Sequence, residues 1–314
     1  MPGIHHVTAI SGAPERNLDF YSRVLGLRLV KKTVNFDDPG TYHLYYGDEQ
    51  GTPGTILTFF PWAHAAQGRL GAGETQETAF RVPAAALGYW AHRFIEKGVT
   101  HGALEKRFGD TVLPFSDPDG MHFALVGAAV GAAGAEKEPG WSGGGIPAEH
   151  AIRGFHGVTL LLGSAASTAK VLTDVLGFRA GGAEGALTRY FTDEPFGGHV
   201  DLRDVGEFPR GKLGRGSVHH VAFRAPSDAV QAAMAEKAVA LGLQVTEQKD
   251  RNYFRSVYFR EPGGVLFEIA TDDPGFAVDE PAESLGRALK LPRFLEPRRA
   301  ELEAKLPPLD VEAA

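Results

Sequence analysis

The sequence lacks cysteine, and it also lacks long apolar runs and strongly basic stretches. Without cysteine the chain can form no disulfide, thiolate metal site or cysteine nucleophile, which fits a reducing compartment. No apolar run reaches the roughly 18 residues of a membrane-spanning helix, and residues 1–6 lack the basic-then-apolar layout of a secretion signal. The net charge of -7 argues against a nucleic-acid partner. We therefore expect a cytoplasmic protein that binds neither membranes nor nucleic acid.

The rest of the composition is that of an ordinary globular protein. Hydrophobic residues make up 43% of the chain and charged residues 23%, which excludes a largely disordered chain. At about 150 residues per domain, the 314 residues suggest about two domains. Glycine is frequent, with 40 residues and no collagen-like period, and this indicates many tight turns.

One small unit recurs four times along the chain. It opens with a strand-like segment at residues 4–10, followed by a helical stretch at residues 14–24 in which apolar residues recur at three- and four-residue spacing. Gly26 ends this helix, as glycine commonly does. Three further strand-like runs follow, at residues 28–34, 42–47 and 55–60. The unit is therefore predicted to be a βαβββ module.

The other three copies begin near residues 78, 155 and 218. Their predicted helices lie at about residues 84–97, 165–175 and 227–241. A module of this size cannot bury its sheet face alone, so modules must pair. The predicted fold class is α+β, with four βαβββ modules forming two paired-sheet, barrel-like halves that curl around a cleft.

The same pattern predicts the domain organisation. Residues 1–135 form an N-terminal half with modules one and two, and residues 136–150 form a linker in a segment rich in glycine, alanine and glutamate. Residues 151–275 form a C-terminal half with modules three and four. Residues 276–314 form a tail that is expected to hold one short helix, at about residues 296–304.

Two histidine pairs open equivalent strands. His5 and His6 begin module one, and His219 and His220 begin module four. Neighbouring side chains of a strand point to opposite faces, so we expect one member of each pair to face the cleft. The apolar residues that follow each pair mark the face covered by the helix, which leaves His6 and His220 on the cleft side.

Glu268 is the third candidate metal ligand. A carboxylate inside an apolar strand is costly unless it is paired or bound to a metal. With His6 and His220 it would form a triad of two imidazoles and one carboxylate, which suits non-haem iron(II) with open coordination positions. Because thiolates are absent, a hard or borderline divalent metal is implied, Fe(II) first, with Mn(II) or another divalent ion as alternatives.

The other modules indicate how many sites the chain holds. Aligning the last strands of modules one and four places Thr58 opposite Glu268, so no second carboxylate completes a four-ligand site. In modules two and three, Ala124 occupies the position of Glu268 and Gly157 that of His6. We therefore expect a single metal site that spans the first and last modules.

These motifs make the chain similar to the vicinal-oxygen-chelate superfamily, which includes glyoxalase, bleomycin-resistance proteins and extradiol dioxygenases. Within it, the chain resembles the ring-cleaving dioxygenases that act on hydroquinones. The resemblance extends from residue 3 to about residue 308, and its most specific stretches are residues 3–10, 17–21, 25–39, 216–223 and 267–268.

The resemblance implies an Fe(II)-dependent enzyme that opens the ring of a hydroquinone-type or related phenolic substrate with O2. It implies His6, His220 and Glu268 as metal ligands. The catalytic residues that it implies around the metal are His5, Thr8, His219, Arg251 and Tyr258. The expected partners are a small aromatic substrate and O2, and a homo-oligomer is allowed.

Three other functions compete with this interpretation. A glyoxalase-type metal lyase or isomerase would need a second carboxylate where Thr58 stands. A non-catalytic protein that binds an aromatic or quinone ligand would need no intact triad. An extradiol enzyme acting on catechols would carry its triad in modules three and four, which Gly157 interrupts.

Overall fold

The computed structural model describes residues 3–128 and 140–311. Within these ranges the chain forms sixteen strands. In chain order they are β1 Ile4–Ser11, β2 Arg28–Val34, β3 Tyr42–Gly47, β4 Ile56–Pro61, β5 Glu74–Pro83, β6 Glu105–Arg107, β7 Asp110–Ser116, β8 His122–Ala128, β9 Gly154–Leu162, β10 Arg179–Glu184, β11 Leu187–Phe191, β12 His199–Asp204, β13 Ser217–Ala225, β14 Lys249–Asp250, β15 Arg255–Arg260 and β16 Leu266–Thr271.

The strands form two curled sheets of eight strands each. The first sheet has the order β14-β15-β16-β13-β1-β4-β3-β2, and the second has the order β10-β11-β12-β9-β5-β8-β7-β6. Module one therefore pairs with module four, through antiparallel β1 and β13, and module two pairs with module three, through antiparallel β5 and β9. The predicted α+β fold with four modules and two paired sheets is confirmed.

Each sheet joins a module from before residue 128 with one from after residue 154. A boundary at residues 136–150 thus does not separate the two sheets, and residues 136–139 of the expected linker lie outside the described residues. The metal-ligand candidates of modules one and four consequently belong to one sheet.

The helices match the predicted repeat. They are α1 Pro14–Leu18, α2 Leu87–Lys97, α3 Ala166–Lys170, α4 Asp228–Ala240 and α5 Arg299–Lys305. α1 and α3 each continue into a wider π-helical turn, at Asp19–Val24 and Val171–Val175. The chain then reverses through Gly26 and Gly177, whose φ angles of 71° and 72° favour glycine. α5 lies where the tail helix is expected.

The two faces of the first sheet belong to different apolar clusters. Val7, Val221 and Phe267 join the large core that also contains residues of the helices. A smaller cluster on the other face includes Tyr45 and Phe254. Burial of these apolar side chains stabilises the packing on both faces of the sheet, by about 25 cal/mol per Å² of apolar surface removed from water. No helix of the described ranges is long and apolar enough to cross a membrane.

Candidate metal centre

Three side chains of the first sheet converge on one point. His6 on β1, His220 on β13 and Glu268 on β16 each offer one ligand atom, and these atoms lie within 4.8 Å of one another. Nε2 of His6 is 3.4 Å from Oε2 of Glu268, and Nε2 of His220 is 2.9 Å from the same oxygen. Among the described residues, this is the one group of three histidine or acidic side chains placed closely enough to hold a metal ion. It consists of the three candidate ligands expected from the sequence.

Glu268 is fully buried and is held by its neighbours on both sides. Its Oε1 atom accepts a hydrogen bond from the hydroxyl of Ser256 on the adjacent strand, and its Oε2 atom faces the two imidazoles. Burial alone would raise the pKa of Glu268, but the two histidines, His6 foremost, reverse this effect and hold the pKa well below its usual range. The carboxylate is therefore ionised at neutral pH, as a metal ligand must be.

The three side chains open onto a cavity of about 340 Å³. Its walls are largely aromatic, with Phe36, Phe60, Trp62 and Phe254 among them. The ring of Phe254 lies 4.9 Å from the ring of His6, measured between centroids. A cavity that combines apolar aromatic walls with polar side chains is typical of a site for a small organic ligand.

Two β-bulges decide where the histidine pairs point. His5 is an extra residue on β1, and His219 is an extra residue on β13, at the two irregular steps of the register between these strands. A bulge redirects side chains and breaks the alternation of a strand. The expectation that one histidine of each pair faces the cleft is therefore wrong for module four, because His219 and His220 both line the cavity.

The bulged histidines contact the candidate ligands. Nδ1 of His5 is 3.0 Å from Nδ1 of His6, and Nδ1 of His219 is 2.8 Å from Nδ1 of His220. Burial lowers the pKa of His5 well below its ordinary value and lowers the pKa of His219 to about 4. Both rings are thus neutral at pH 7 and can accept the Nδ1 proton of the neighbouring histidine, which leaves each Nε2 of His6 and His220 free for a metal.

Arg251 and Tyr258 lie together on the cavity wall. Nε of Arg251 donates a hydrogen bond to the Tyr258 hydroxyl over 3.1 Å, and its Nη2 atom donates to Asp37 over 3.1 Å. The ring of Tyr258 is 5.9 Å from the ring of His220. Burial raises the pKa of Tyr258 above its ordinary value, so the phenol stays protonated and can donate a hydrogen bond.

Thr8 lies beneath this site, hydrogen-bonded to Thr58. The distance between their Oγ1 atoms is 3.0 Å, and Thr8 is not among the residues that line the cavity. Two residues after His6, Thr8 is opposite Thr58, just as the residue two positions after His220 is opposite Glu268. The register thus agrees with the sequence alignment of Thr58 and Glu268.

Sequence reasoning missed His43 and Tyr45. His43 lines the cavity together with Tyr45, although no motif of the sequence analysis includes either residue. Its Nε2 atom is 2.7 Å from Oγ1 of Thr58, and its Nδ1 atom is 2.8 Å from the hydroxyl of Tyr45. The sequence signal that could have identified these two residues is the alignment of Thr58 with Glu268. If Thr58 lies at the site, residues on the strand that pairs with it must border the site as well.

In the second sheet, two positions that correspond to residues of the candidate metal centre hold ion pairs instead. Glu77 stands at the place of His220 and accepts hydrogen bonds from both Nη atoms of Arg107. Asp201 stands at the place of Thr58 and accepts two hydrogen bonds from Arg189, both of 2.8 Å. The cavity here measures only about 10 Å³. These charges neutralise one another, so no metal is needed to compensate them.

Comparisons with known proteins agree with this architecture. The family model described as Glyoxalase/Bleomycin resistance protein/Dioxygenase superfamily matches residues 3–125 and 154–269. A protein of Bacillus subtilis (strain 168), provisionally named ring-cleaving dioxygenase MhqO, is 46% identical over 98% of this chain and 97% of its own. The chlorohydroquinone/hydroquinone 1,2-dioxygenase of Sphingobium indicum is 36% identical over 96% of this chain and 94% of its own.

Solved structures give the same result. A crystal structure of a provisionally named dioxygenase from Bacillus subtilis superposes with a TM-score of 0.93 at 46% identity, covering 98% of this chain and 97% of that one. Glyoxalase I from Zea mays has a TM-score of 0.64 at 15% identity, covering 87% and 93% of the two chains. This second likeness shows the shared fold alone.

The chain therefore belongs to the Glyoxalase/Bleomycin resistance protein/Dioxygenase superfamily. The relatives reported above, which match it over nearly the full length, are named as dioxygenases, and the chain is an enzyme of this dioxygenase group. The resemblance stated from the sequence motifs is confirmed at this level.

Proposed function

We propose that this enzyme is an Fe(II)-dependent dioxygenase that cleaves the ring of a hydroquinone-type substrate with O2. The observation that carries the proposal is the convergence of His6, His220 and Glu268 on one wall of a largely aromatic cavity. The printed name of the Sphingobium indicum relative, a chlorohydroquinone/hydroquinone 1,2-dioxygenase, supports the substrate class.

The three candidate ligands fit a ferrous ion. Oε2 of Glu268 faces Nε2 of His6 and Nε2 of His220, so three electron-pair donors meet in a buried place that a bound cation would stabilise. Two neutral imidazoles and one carboxylate match the donor set of non-haem iron(II) sites. When bound, the iron would supply the electron transfer that lets O2 react with an aromatic ring.

Protein groups would hold the substrate beside that site. The Tyr258 hydroxyl accepts a hydrogen bond from Arg251, so its own hydrogen is free to donate to a substrate oxygen. His219 can act in the same way, because its Nδ1 atom is engaged by His220 and its other nitrogen carries the proton. The positive charge of Arg251 would stabilise negative charge that develops on the substrate.

The aromatic walls determine the shape and the water content of the cavity. Phe36, Phe60 and Trp62 offer flat apolar surfaces for a ring. A cavity of about 340 Å³ leaves room beyond one phenolic ring for ring substituents. Exclusion of water by these walls strengthens the hydrogen bonds from Tyr258 and His219.

The test is oxygen uptake by anaerobically Fe(II)-loaded protein with matched hydroquinones and catechols. We expect one mole of O2 to be taken up per mole of hydroquinone consumed, and a ring-opened product to form. Catechols should be turned over slowly or not at all. His220→Ala should lose bound iron and oxygen uptake, whereas His156→Ala, a histidine of the second sheet, should keep both. Fully loaded protein that consumes no O2 with any hydroquinone would contradict the proposal and favour a binding role.

A further inference from the structure

A chain of hydrogen bonds runs from Tyr45 to Thr8 on the side of the site opposite Glu268. The Tyr45 hydroxyl contacts Nδ1 of His43 over 2.8 Å, and Nε2 of His43 contacts Oγ1 of Thr58 over 2.7 Å. The Thr58 hydroxyl donates to Oγ1 of Thr8 over 3.0 Å. Tyr45, Thr58 and Thr8 are each at most 2% exposed, so water does not compete for the bond between the two threonines, whereas His43 is half-buried at the cavity wall.

The chain occupies a defined position in the module. Thr58 is opposite Tyr45 on β3, as Glu268 is opposite Tyr258 on β15. Two residues before each tyrosine, His43 bonds to Thr58 and Ser256 bonds to Glu268. His43 therefore does for Thr58 what Ser256 does for the carboxylate ligand.

The chain has two self-consistent directions, because a neutral imidazole carries one proton. In the direction in which the Thr58 hydroxyl donates to Thr8, the same hydroxyl accepts from Nε2–H of His43. Nδ1 of His43 then accepts from the Tyr45 hydroxyl, since a neutral imidazole carries one proton. In this direction every hydrogen of the chain is used except the hydroxyl hydrogen of Thr8, which remains available to donate.

We propose that His43, oriented by Tyr45, is a positioning residue of the active site. It keeps the Thr58 hydroxyl bonded to Thr8, so the place opposite Glu268 contributes no fourth ligand. It also makes Thr8, two residues from His6 on the same strand, a hydrogen-bond donor. The inference rests on the proposed function, because it concerns the same metal-binding site.

The first experiment measures the bond without any turnover. Metal-free protein with ¹⁵N-labelled histidine should show His43 as a neutral Nε2–H tautomer with a slowly exchanging proton, assigned by its loss in His43→Phe. Thr58→Val, which removes only the hydroxyl, should shift this resonance, and Tyr45→Phe should shift the Nδ1 resonance. A rapidly exchanging His43, or one unaffected by Thr58→Val, would overturn the proposal whatever the enzyme's activity.

The second experiment is a double-mutant cycle on the iron-loaded enzyme. If His43 acts through Thr58, then His43→Phe and Thr58→Val should each lower kcat/KM about three- to tenfold, the effect of one buried hydrogen bond. The double variant should be no worse than the poorer single variant. Both variants should keep one bound iron.

A matched control separates this role from general packing. His199→Phe changes a largely buried histidine of the second sheet, whose ring stacks on His156 at 4.2 Å, and it should leave kcat/KM unchanged. Additive losses in the cycle would show that His43 does not act through Thr58. If wild-type protein consumes no O2 while the ¹⁵N result is as expected, the proposed function fails and the hydrogen-bond chain stands.

Discussion

A single strand position carries very different side chains in the four modules, and this decides where chemistry can occur. This position lies on the last strand of each module, next to the module's first strand. In modules one to four it is occupied by Thr58, Ala124, Asp201 and Glu268. Glu268 was predictable because burying a carboxylate in an apolar strand is costly unless the carboxylate is paired or bound to a metal. His43 was harder to find, because its strand is rich in tyrosine and looks like ordinary core, and the alignment of Thr58 with Glu268 was the only sequence signal that pointed to its strand.

Glu74 on β5 gives a prediction for stability against pH. It is 8% exposed, and burial raises its pKa from 4.5 to about 7. Between these values the unfolded chain loses the proton that the folded protein keeps, so stability falls as pH rises. Glu74→Gln should therefore be more stable than wild type at pH 8, and the difference should shrink to nothing near pH 4.

Urea unfolding at several pH values would measure this difference. Glu236→Gln, an exposed position on α4, serves as the control and should give the same small difference at every pH. A constant gain for Glu74→Gln across the whole range would mean that packing, and not ionisation, accounts for the effect.

At the scale of elements, the periodic pattern predicted the modules well and their irregularities poorly. The helices, Gly26 and the tail helix follow from spacing and stop signals that act locally. The bulges at His5 and His219 depend on how two distant strands meet, so no local pattern announces them. The meeting of module one with module four was predicted from the distribution of the candidate ligands, not from a local pattern, and the pairing of β1 with β13 agrees with it.

The tail is attached to the first sheet by a buried ion pair. Lys31 on β2 is fully buried, and its Nζ atom donates to Oδ1 of Asp279 over 2.7 Å and to Oε2 of Glu280 over 2.8 Å. Lys31→Met leaves both carboxylates without their cation and should lower the free energy of unfolding by about 3–5 kcal/mol. Chemical denaturation measures the loss.

The matched control is Lys305→Met on the tail helix. Lys305 pairs with Glu301 one helical turn away, and both side chains are about half exposed, at 58% and 44%. Such a surface pair contributes about 0.5 kcal/mol or less. Equal losses in the two variants would show that the Lys31 pair stabilises the fold no more than a surface contact does.

At the scale of the whole molecule, one architecture is used twice with opposite electrostatic results. In the first sheet Glu268 faces two imidazoles, an arrangement that suits a bound cation, whereas in the second sheet Glu77 and Asp201 already have arginines. Filling the second site with ion pairs preserves the fold of that sheet without a metal. A chain with two similar sheets should therefore hold one metal ion.

This asymmetry predicts how metal stabilises the protein. A ligand that binds the folded state alone, at a hundred times its Kd, adds about 2.7 kcal/mol to the free energy of unfolding. Anaerobic Fe(II) or Mn(II) should thus raise the Tm of wild-type protein, with one equivalent bound per chain by elemental analysis. Glu268→Gln should abolish the shift, and Glu77→Gln should retain it even if its Tm in the absence of metal is lower. Two bound equivalents, or an unchanged shift in Glu268→Gln, would place the metal away from His6, His220 and Glu268.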